Sequence, residues 1–310
     1  MNIEVHSSMN FSADELLNLA IMSKIPVLIV EGVDDIPIYE RISMTVGVEC
    51  DVYASETLAG KREGCTGVIS NIADIRNVSQ SIPVENFVLG IIDRDVRFYR
   101  NEMPDDPAVF PLNYYSIESH YINKCSVEYL IPRFTKATKK LVRPEMAETI
   151  YRSICSELSF LYYVSLEALR NACDQQYQAE FGYSKTIKSI INQGLHEKIM
   201  AKKSDLDDFA ESLGLSLSMD TILKICKGKW ISEVYSDLLY EAIKQLPANC
   251  LDSKIPQCQA CGNNEPQKCL YKNTSFFSAD ILINQAFLNT DTLSLGYIKD
   301  RITNLGSVER

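Results

Sequence analysis

The stretch PVLIVEGVDD, residues 26–35, decides the predicted fold. Its four consecutive apolar residues, Val27–Val30, are typical of a β-strand that is buried on both faces. Apolar residues at helical spacing follow over 34–44, and Pro37 falls in the first turn, where a helix tolerates proline. The stretch therefore predicts a strand, a tight turn and a helix.

The same alternation extends along the chain in both directions. Ser12 and Glu15 have the spacing of a capping box at the start of a helix over 12–23. Downstream, the sequence predicts a strand at 50–56, a helix from about Thr66, a strand at 88–92, and one or two strands that end near Ile117. Strands that alternate with helices imply βαβ units, so the predicted fold class is α/β with a largely parallel sheet.

The sequence changes character after about residue 125. Stretches with helical periodicity dominate, whereas residues 247–275 are polar and rich in proline and cysteine. The predicted helices cover 144–172, 184–201, 204–213, 217–227, 230–246, 278–289 and 294–304. We therefore predict an α/β domain at 1–125 and a mainly helical domain at 126–310 with a Cys-rich insertion.

The composition, 46% hydrophobic and 23% charged, is that of a soluble globular protein. A net charge of −10 argues against a general affinity for nucleic acid, but it leaves room for a local basic groove. No apolar run approaches the roughly 20 residues of a membrane span, and the N-terminus lacks the regions of a signal peptide. We therefore expect a cytoplasmic protein with no membrane partner, whose ten cysteines are reduced.

Two acidic pairs follow the buried strands. Glu31 and Asp35 come after the first strand, and Asp93 and Asp95 come after the strand at 88–92. Because the carboxyl ends of parallel strands meet at one edge of a sheet, these carboxylates are expected to lie together, where they suit Mg²⁺. The alternative is two unrelated acidic loops, in which Asp35 only caps a helix.

The pattern EGxxD at 31–35, followed about sixty residues later by DxD at 93–95, resembles the TOPRIM domain of topoisomerases and primases. The resemblance covers about residues 24–122 and implies a Rossmann-like sheet. It also implies that Glu31 acts as a general acid or base, and that Asp93 and Asp95, supported by Asp35, bind divalent metal.

A narrower resemblance extends over the whole chain. YYSIESHYI at 114–122 and KGKW at 227–230 are similar to the AriB family, the TOPRIM effectors of PARIS anti-phage systems. That likeness implies a toxin that cleaves host tRNA when an ABC-type ATPase of the AriA type releases it, with a possible homodimer after release. It also implies that Glu118 completes the acidic cluster. The alternative for Glu118 is a helix N-terminus after Ser116.

Four basic residues are candidates for phosphate contacts. Lys227 and Lys229 flank the helix junction at KGKW, and Lys229 could stabilise charge that develops during cleavage. Lys61 and Arg62, in AGKREG, lack the flanking residues of a P-loop, so any ATP would be bound by another chain. The alternative is that such lysines lie on solvated helix faces. The basic stretches at 135–143, 196–203 and 224–229 allow the same two interpretations, a nucleic-acid groove or a solvated face.

The last candidate site is a group of four cysteines in the 247–275 stretch, with the spacing C-x7-C-x2-C-x7-C. A CxxC pair with two flanking cysteines in a reducing compartment favours structural zinc over free thiols. The predicted ligands are Cys250, Cys258, Cys261 and Cys269.

The favoured function is therefore a Mg²⁺-dependent nuclease, and the resemblance to the AriB family alone implies that it acts on RNA. One alternative is a DNA nuclease or nickase of the OLD type, which would use the same chemistry. The other is a non-catalytic TOPRIM-like module that only docks on an ATPase; the intact acidic set argues against it.

Overall fold

The computed structural model of the chain describes residues 10–79, 81–274 and 276–306. Contacts within the chain define two units. The α/β unit consists of the residues up to Arg94, residues 102–113 and the residues from Leu295 onward. The helical unit consists of residues 95–101 and 114–294.

The α/β unit contains one sheet of four parallel strands. These are β1 (Val27–Val30), β2 (Asp51–Ala54), β3 (Val88–Ile92) and β4 (Val109–Pro111), in the order β2-β1-β3-β4. β1 lies in the interior, where Ile29 pairs with Tyr53 on one side and with Gly90 on the other. All residues of β1 and β3 are buried, as their apolar runs predicted, and the α/β class with a parallel sheet is confirmed.

Helices cover this sheet. They are α1 (Ala13–Ser23), α2 (Ile36–Thr45), α3 (Gly64–Ser79) and α14 (Gly296–Gly306), with short 3-10 turns at Val33–Asp35, Ser55–Thr57 and Val84–Asn86. The predicted capping box is present, because the Ser12 backbone N–H donates to the Glu15 carboxylate (2.9 Å). Leu16, Val68 and Ile72 pack with β1 and β3 into the core of this unit.

Helix α14 belongs to the α/β unit although the sequence assigned it to the second domain. The Tyr297 hydroxyl accepts a hydrogen bond from the backbone N–H of Asn113 (2.8 Å), just after β4. The Arg301 guanidinium donates to the carbonyl of Pro107 (3.2 Å), just before β4. The last helix is thereby attached to both ends of the strand at the edge of the sheet.

The helical unit contains ten α-helices among the described residues. They are α4 (Lys124–Phe134), α5 (Pro144–Leu158), α6 (Leu161–Cys173), α7 (Ile187–Asn192), α8 (Leu195–Lys198), α9 (Lys203–Ser212), α10 (Met219–Ile225), α11 (Gly228–Leu251), α12 (Gln259–Gly262) and α13 (Ala279–Ala286). Further 3-10 turns lie at Ile117–Tyr121, Ile199–Lys202, Pro266–Lys268 and Leu293–Leu295.

Three predictions about secondary structure are wrong. The helix predicted over 184–201 is divided, because α7 ends at Asn192 and α8 begins at Leu195 after Gly194, whose φ is +61°. The helix predicted over 144–172 is interrupted between Leu158 and Leu161, where one helix ends and the next begins. No strand reaches Ile117, because β4 ends at Pro111, which has no N–H to donate. The backbone then bonds within the helical unit instead: the Tyr115 N–H donates to the Leu223 carbonyl (2.8 Å).

Candidate functional site

Glu31 and Asp93 are brought together at the carboxyl ends of β1 and β3. Glu31 directly follows β1, and its Oε1 accepts a hydrogen bond from the backbone N–H of Asp93 (2.9 Å), which directly follows β3. β1 has β2 on one side and β3 on the other, so this is the point where the strand order reverses. Ligands bind at such points in open α/β sheets.

The backbone around Glu31 is also held. Its carbonyl accepts hydrogen bonds from the Ser55 hydroxyl (3.0 Å) and from the Gly64 N–H (3.3 Å), at the start of α3. Gly64 has a φ of +64°, a conformation that favours glycine. Glu31 is half-buried, and both its carboxylate and its carbonyl are fixed by hydrogen bonds.

Asp35 closes the turn that follows Glu31. Its Oδ2 accepts a hydrogen bond from the Gly32 N–H (3.2 Å), in the 3-10 turn that leads into α2. The neighbouring Asp34 is exposed. Asp35 thus stabilises the turn, as the helix-capping alternative proposed, and it does so from a position next to Glu31.

Asp95 belongs to the helical unit and has an unusual backbone. Its φ is +34°, a conformation that non-glycine residues seldom adopt and that is often found at functional sites. Its N–H donates to the Tyr115 carbonyl (3.2 Å), and its Oδ1 accepts from the Arg97 N–H (2.6 Å). These contacts hold the strained residue in place.

Metal ligation can be tested on the donor sets. In residues 10–79, 81–274 and 276–306, a metal site would need at least three His, Cys, Asp or Glu residues whose ligand atoms converge. The group that meets this condition there consists of the four cysteines. Among the described residues, no such group includes the acidic residues. An open acidic set still fits Mg²⁺, which usually takes one or two carboxylates and fills its other positions with water and substrate phosphate.

Glu118 does not lie at the end of a strand, contrary to the prediction. It lies in the 3-10 turn Ile117–Tyr121, whose N-cap is Ser116. The Ser116 hydroxyl donates to the Glu118 carboxylate, and both side chains face Gly228, the first residue of α11. A Cβ on Gly228 would lie 1.9 Å from the Ser116 Oγ and 2.5 Å from a Glu118 oxygen, so only glycine fits there.

Gly228 is the first residue of α11, whereas the sequence predicted that the helix begins at residue 230. Lys227 is the N-cap of α11, and its Nζ donates to the Tyr183 carbonyl (2.9 Å). Burial, with repulsion from Lys229, lowers the pKa of Lys227. Lys229 is exposed and lines a cleft of about 340 Å³ together with Lys188, Glu233, Asp237 and Asp280.

Lys61 and Arg62 lie in the exposed loop before α3. The Arg62 guanidinium forms an ion pair with Asp74 (2.9 Å) in which both side chains are about half exposed, so the pair contributes little to stability. The Lys61 N–H donates to the Leu58 carbonyl (2.8 Å), and its φ is +46°. Both side chains remain accessible to a ligand.

The four cysteines converge as predicted. Their Sγ atoms lie within 4.8 Å of one another, and each residue is at most 3% exposed. Tetrahedral Zn–S bonds of about 2.3 Å place sulfur atoms about 3.8 Å apart, and the Cys258 and Cys269 Sγ atoms are separated by 3.9 Å. Cys250 comes from the end of α11, which runs past Pro247 into the predicted loop.

The surroundings of these thiols favour a bound cation. Burial opposes ionisation of Cys258, but the backbone N–H groups of Leu270 and Cys261 outweigh it and lower the pKa of its thiol to about 6. Burial raises the pKa of Cys250 to about 11. The cluster could hold a metal such as zinc, whose charge would compensate several thiolates packed together.

The surroundings of Gly228 and of His120 become visible only in the structure. The close contact of Gly228 with Ser116 depends on segments more than a hundred residues apart, and no local pattern indicates it. His120 is fully buried next to the Ser116 carbonyl (3.1 Å), and burial lowers its pKa to about 4. It is therefore neutral at pH 7, as suits a packing residue.

None of the helices in the described part of the chain is both long and apolar enough to cross a lipid bilayer. No protein-family model matches the sequence, and no curated protein matches it either.

Proposed function

We propose that this chain is a Mg²⁺-dependent nuclease that cleaves RNA, with tRNA as its substrate. The observation that carries the proposal is the hydrogen bond between the Asp93 N–H and the Glu31 carboxylate (2.9 Å). It holds two acidic residues of neighbouring parallel strands at the sheet edge where α/β proteins bind ligands.

In this proposal each acidic residue has a role in cleaving a phosphodiester. Asp35, Asp93 and Asp95 would hold Mg²⁺, which would polarise the phosphate and lower the pKa of a bound water. Glu31 would move the proton of the attacking nucleophile, for which a carboxylate fixed by a hydrogen bond is well suited. Cleavage would form a P–O bond to the attacking oxygen and break the P–O bond to the leaving oxygen, which would take up a proton.

The remaining predicted residues would act on the substrate rather than bind metal. Glu118 is proposed as a further catalytic carboxylate, and Lys229 as the cation that neutralises the phosphate. Lys61, Arg62 and Lys227 would bind substrate phosphates. Lys61, Arg62 and Lys229 are exposed, which supports such contacts, whereas Lys227 already donates to the Tyr183 carbonyl.

The choice of RNA, and of a partner, rests on the resemblance to the AriB family at residues 114–122 and 227–230. By that likeness the chain is a toxic effector of anti-phage defence, held inactive by an ABC-type ATPase and active after release. The site chemistry itself suits either RNA or DNA, because both present the same phosphodiester to the acidic residues.

The decisive experiment incubates the purified full-length chain with tRNA, single-stranded DNA and duplex DNA, each with Mg²⁺ and with EDTA. Wild type is compared with Glu31→Gln and with Asp34→Asn, which removes an exposed neighbouring carboxylate. Discrete tRNA fragments that require Mg²⁺, disappear in Glu31→Gln and persist in Asp34→Asn would support the proposal.

Cleavage of DNA alone, with the same dependence on Glu31, would replace RNA by DNA as substrate. Equal activity of Glu31→Gln and wild type would contradict the catalytic assignment. The partner is tested separately, by measuring tRNA integrity in cells that express the chain with and without the ATPase.

A further inference from the structure

We infer that the cysteine cluster supports a basic surface that binds the backbone of an RNA with unpaired bases. We call it the knuckle surface; it consists of Lys136, Lys139, Lys140, Arg143, Lys272 and Phe276. The choice of RNA rests on the proposed function, whereas the surface itself is defined by contacts within the helical unit.

Two segments that are far apart in sequence build this surface. Thr135 and Asn273 form an antiparallel bridge, and the Lys136 N–H donates to the Lys272 carbonyl (3.3 Å). The Thr274 N–H donates in turn to the Phe134 carbonyl (3.0 Å). The basic stretch 135–143 is therefore not a solvated helix face; it runs beside the chain that follows Cys269.

The cysteine cluster determines where these segments lie. Tyr271, two residues after Cys269, is fully buried. Its hydroxyl lies 3.1 Å from the Leu141 carbonyl and 3.0 Å from the Pro256 carbonyl, between Cys250 and Cys258. The position of the basic stretch thus depends on the same loop that a bound metal would hold together.

The basic side chains of the surface are not held in ion pairs, although Lys139 lines a cleft with Glu128 and Asp291. All five basic side chains are exposed, and in the described parts of the chain none of them forms an ion pair within 4.0 Å. Two lysines of the same loop behave differently, because Lys254 pairs with Asp252 and Lys268 pairs with Glu265. In a chain of net charge −10, five such cations on two adjoining segments suit a polyanion.

An exposed aromatic residue adds a contact for bases. Phe276 is 95% exposed and follows Lys272 by four residues, while the next residue, Phe277, is buried against the Phe134 ring (4.3 Å between centroids). Phe276 therefore projects from an anchored backbone. Aromatic rings beside cations are typical of proteins that stack unpaired bases, which favours RNA loops over duplex nucleic acid.

The test measures binding rather than cleavage, so that its failure can be told apart from failure of the nuclease proposal. Labelled tRNA is titrated with full-length chain carrying Glu31→Gln, which keeps the RNA intact. A triple variant, Lys136→Ala, Lys140→Ala and Lys272→Ala, is compared with a control triple, Lys124→Ala, Arg152→Ala and Lys244→Ala, whose residues lie outside the three basic stretches of the sequence. The control removes the same charge from exposed helical positions elsewhere in the helical unit.

We expect the surface triple to weaken tRNA binding by about ten-fold or more, and the control by less than about two-fold. The slope of log affinity against log salt should fall by about 2 in the surface triple, for three lost contacts to a single strand. Phe276→Ala should weaken binding by about five-fold with the slope unchanged, since stacking is not ionic.

Equal effects of the two triples would overturn the inference, because they would show a dependence on net charge only. The assignment to RNA would be overturned if duplex DNA competed as well as tRNA. It would also be overturned if the surface triple lost binding to anionic vesicles but kept its binding to tRNA. Circular dichroism and bound-metal content of each variant confirm that the fold and the cysteine cluster are retained.

Discussion

The Glu31 carboxylate accepts a hydrogen bond from the backbone N–H of Asp93, although 62 positions separate the two residues. The N–H is the first one beyond β3, where the sheet has ended. The bond therefore satisfies a donor that the sheet leaves unpaired, and it orients the carboxylate at the same time. The same side chain thus has a structural role and the catalytic role proposed for it.

Glu31→Gln separates these two roles. The glutamine carbonyl can still accept the Asp93 N–H, so the melting temperature should stay within a few degrees of wild type, whereas the amide cannot take up a proton. We expect cleavage to fall by about 100-fold or more. The rate of fragment formation and thermal unfolding check this, with Asp34→Asn as the control that keeps full activity.

Gly228→Ala should disturb the start of α11. The added Cβ would lie 1.9 Å from the Ser116 hydroxyl and 2.5 Å from the Glu118 carboxylate, so these groups must move. We expect a loss of about 1–3 kcal/mol in the free energy of unfolding. Gly296→Ala is the matched control, since Gly296 also begins a helix and has nothing within 4 Å of an added Cβ.

If both alanine variants unfold at the same denaturant concentration as wild type, the packing of Gly228 against Ser116 is not as described. Ser116→Gly should partly restore the stability of Gly228→Ala, because it removes the nearer of the two clashing groups.

The cysteine cluster predicts about one bound zinc per chain. Cys258→Ser should abolish zinc binding and lower thermal stability, because the metal would no longer hold the loop that carries Tyr271. Cys125→Ser, outside the cluster, should change neither. Mass spectrometry under native conditions gives the metal content; wild-type chain that contains no metal after purification without chelators would contradict the prediction.

His120 predicts a loss of stability in acid. Its pKa is about 4 in the folded chain and about 6.5 when unfolded, so the unfolded state binds more protons between these values. Stability should therefore fall as the pH drops from about 6.5 to about 4, by about 3 kcal/mol from this group. Denaturant unfolding of wild type and His120→Gln across this range checks it; parallel curves would contradict it.

The strands were predictable because their signal is local. Four or five consecutive apolar residues at 27–30 and 88–92 have to be buried on both faces, and these strands end where the runs end. The same local signal predicts that the acidic residues following these strands lie near one another. The cysteine cluster was predictable from composition, since four cysteines in one short stretch seldom serve as separate thiols.

The misplaced elements depend on contacts between distant segments. The periodicity of 144–172 continues across the break, and the chain turns there because α5 packs on α4 and α11 while α6 packs on α9 and α10. Glu118 follows residues that look like a strand, yet their backbone bonds to Leu223 of α10. The packing helices and Leu223 lie too far along the chain to influence the local periodicity of these segments.

The attachment of α14 to β4 has a consequence for how the protein is made. Arg301 and Tyr297 complete the α/β unit, but they follow the helical unit in the chain, so the ribosome adds them after it. A nascent chain holds Glu31 and Asp93 long before it holds the helix that secures the edge of their sheet. The edge strand of the sheet would therefore gain its covering helix only after the helical unit has been synthesised, so the N-terminal segment alone would leave the α/β unit incomplete.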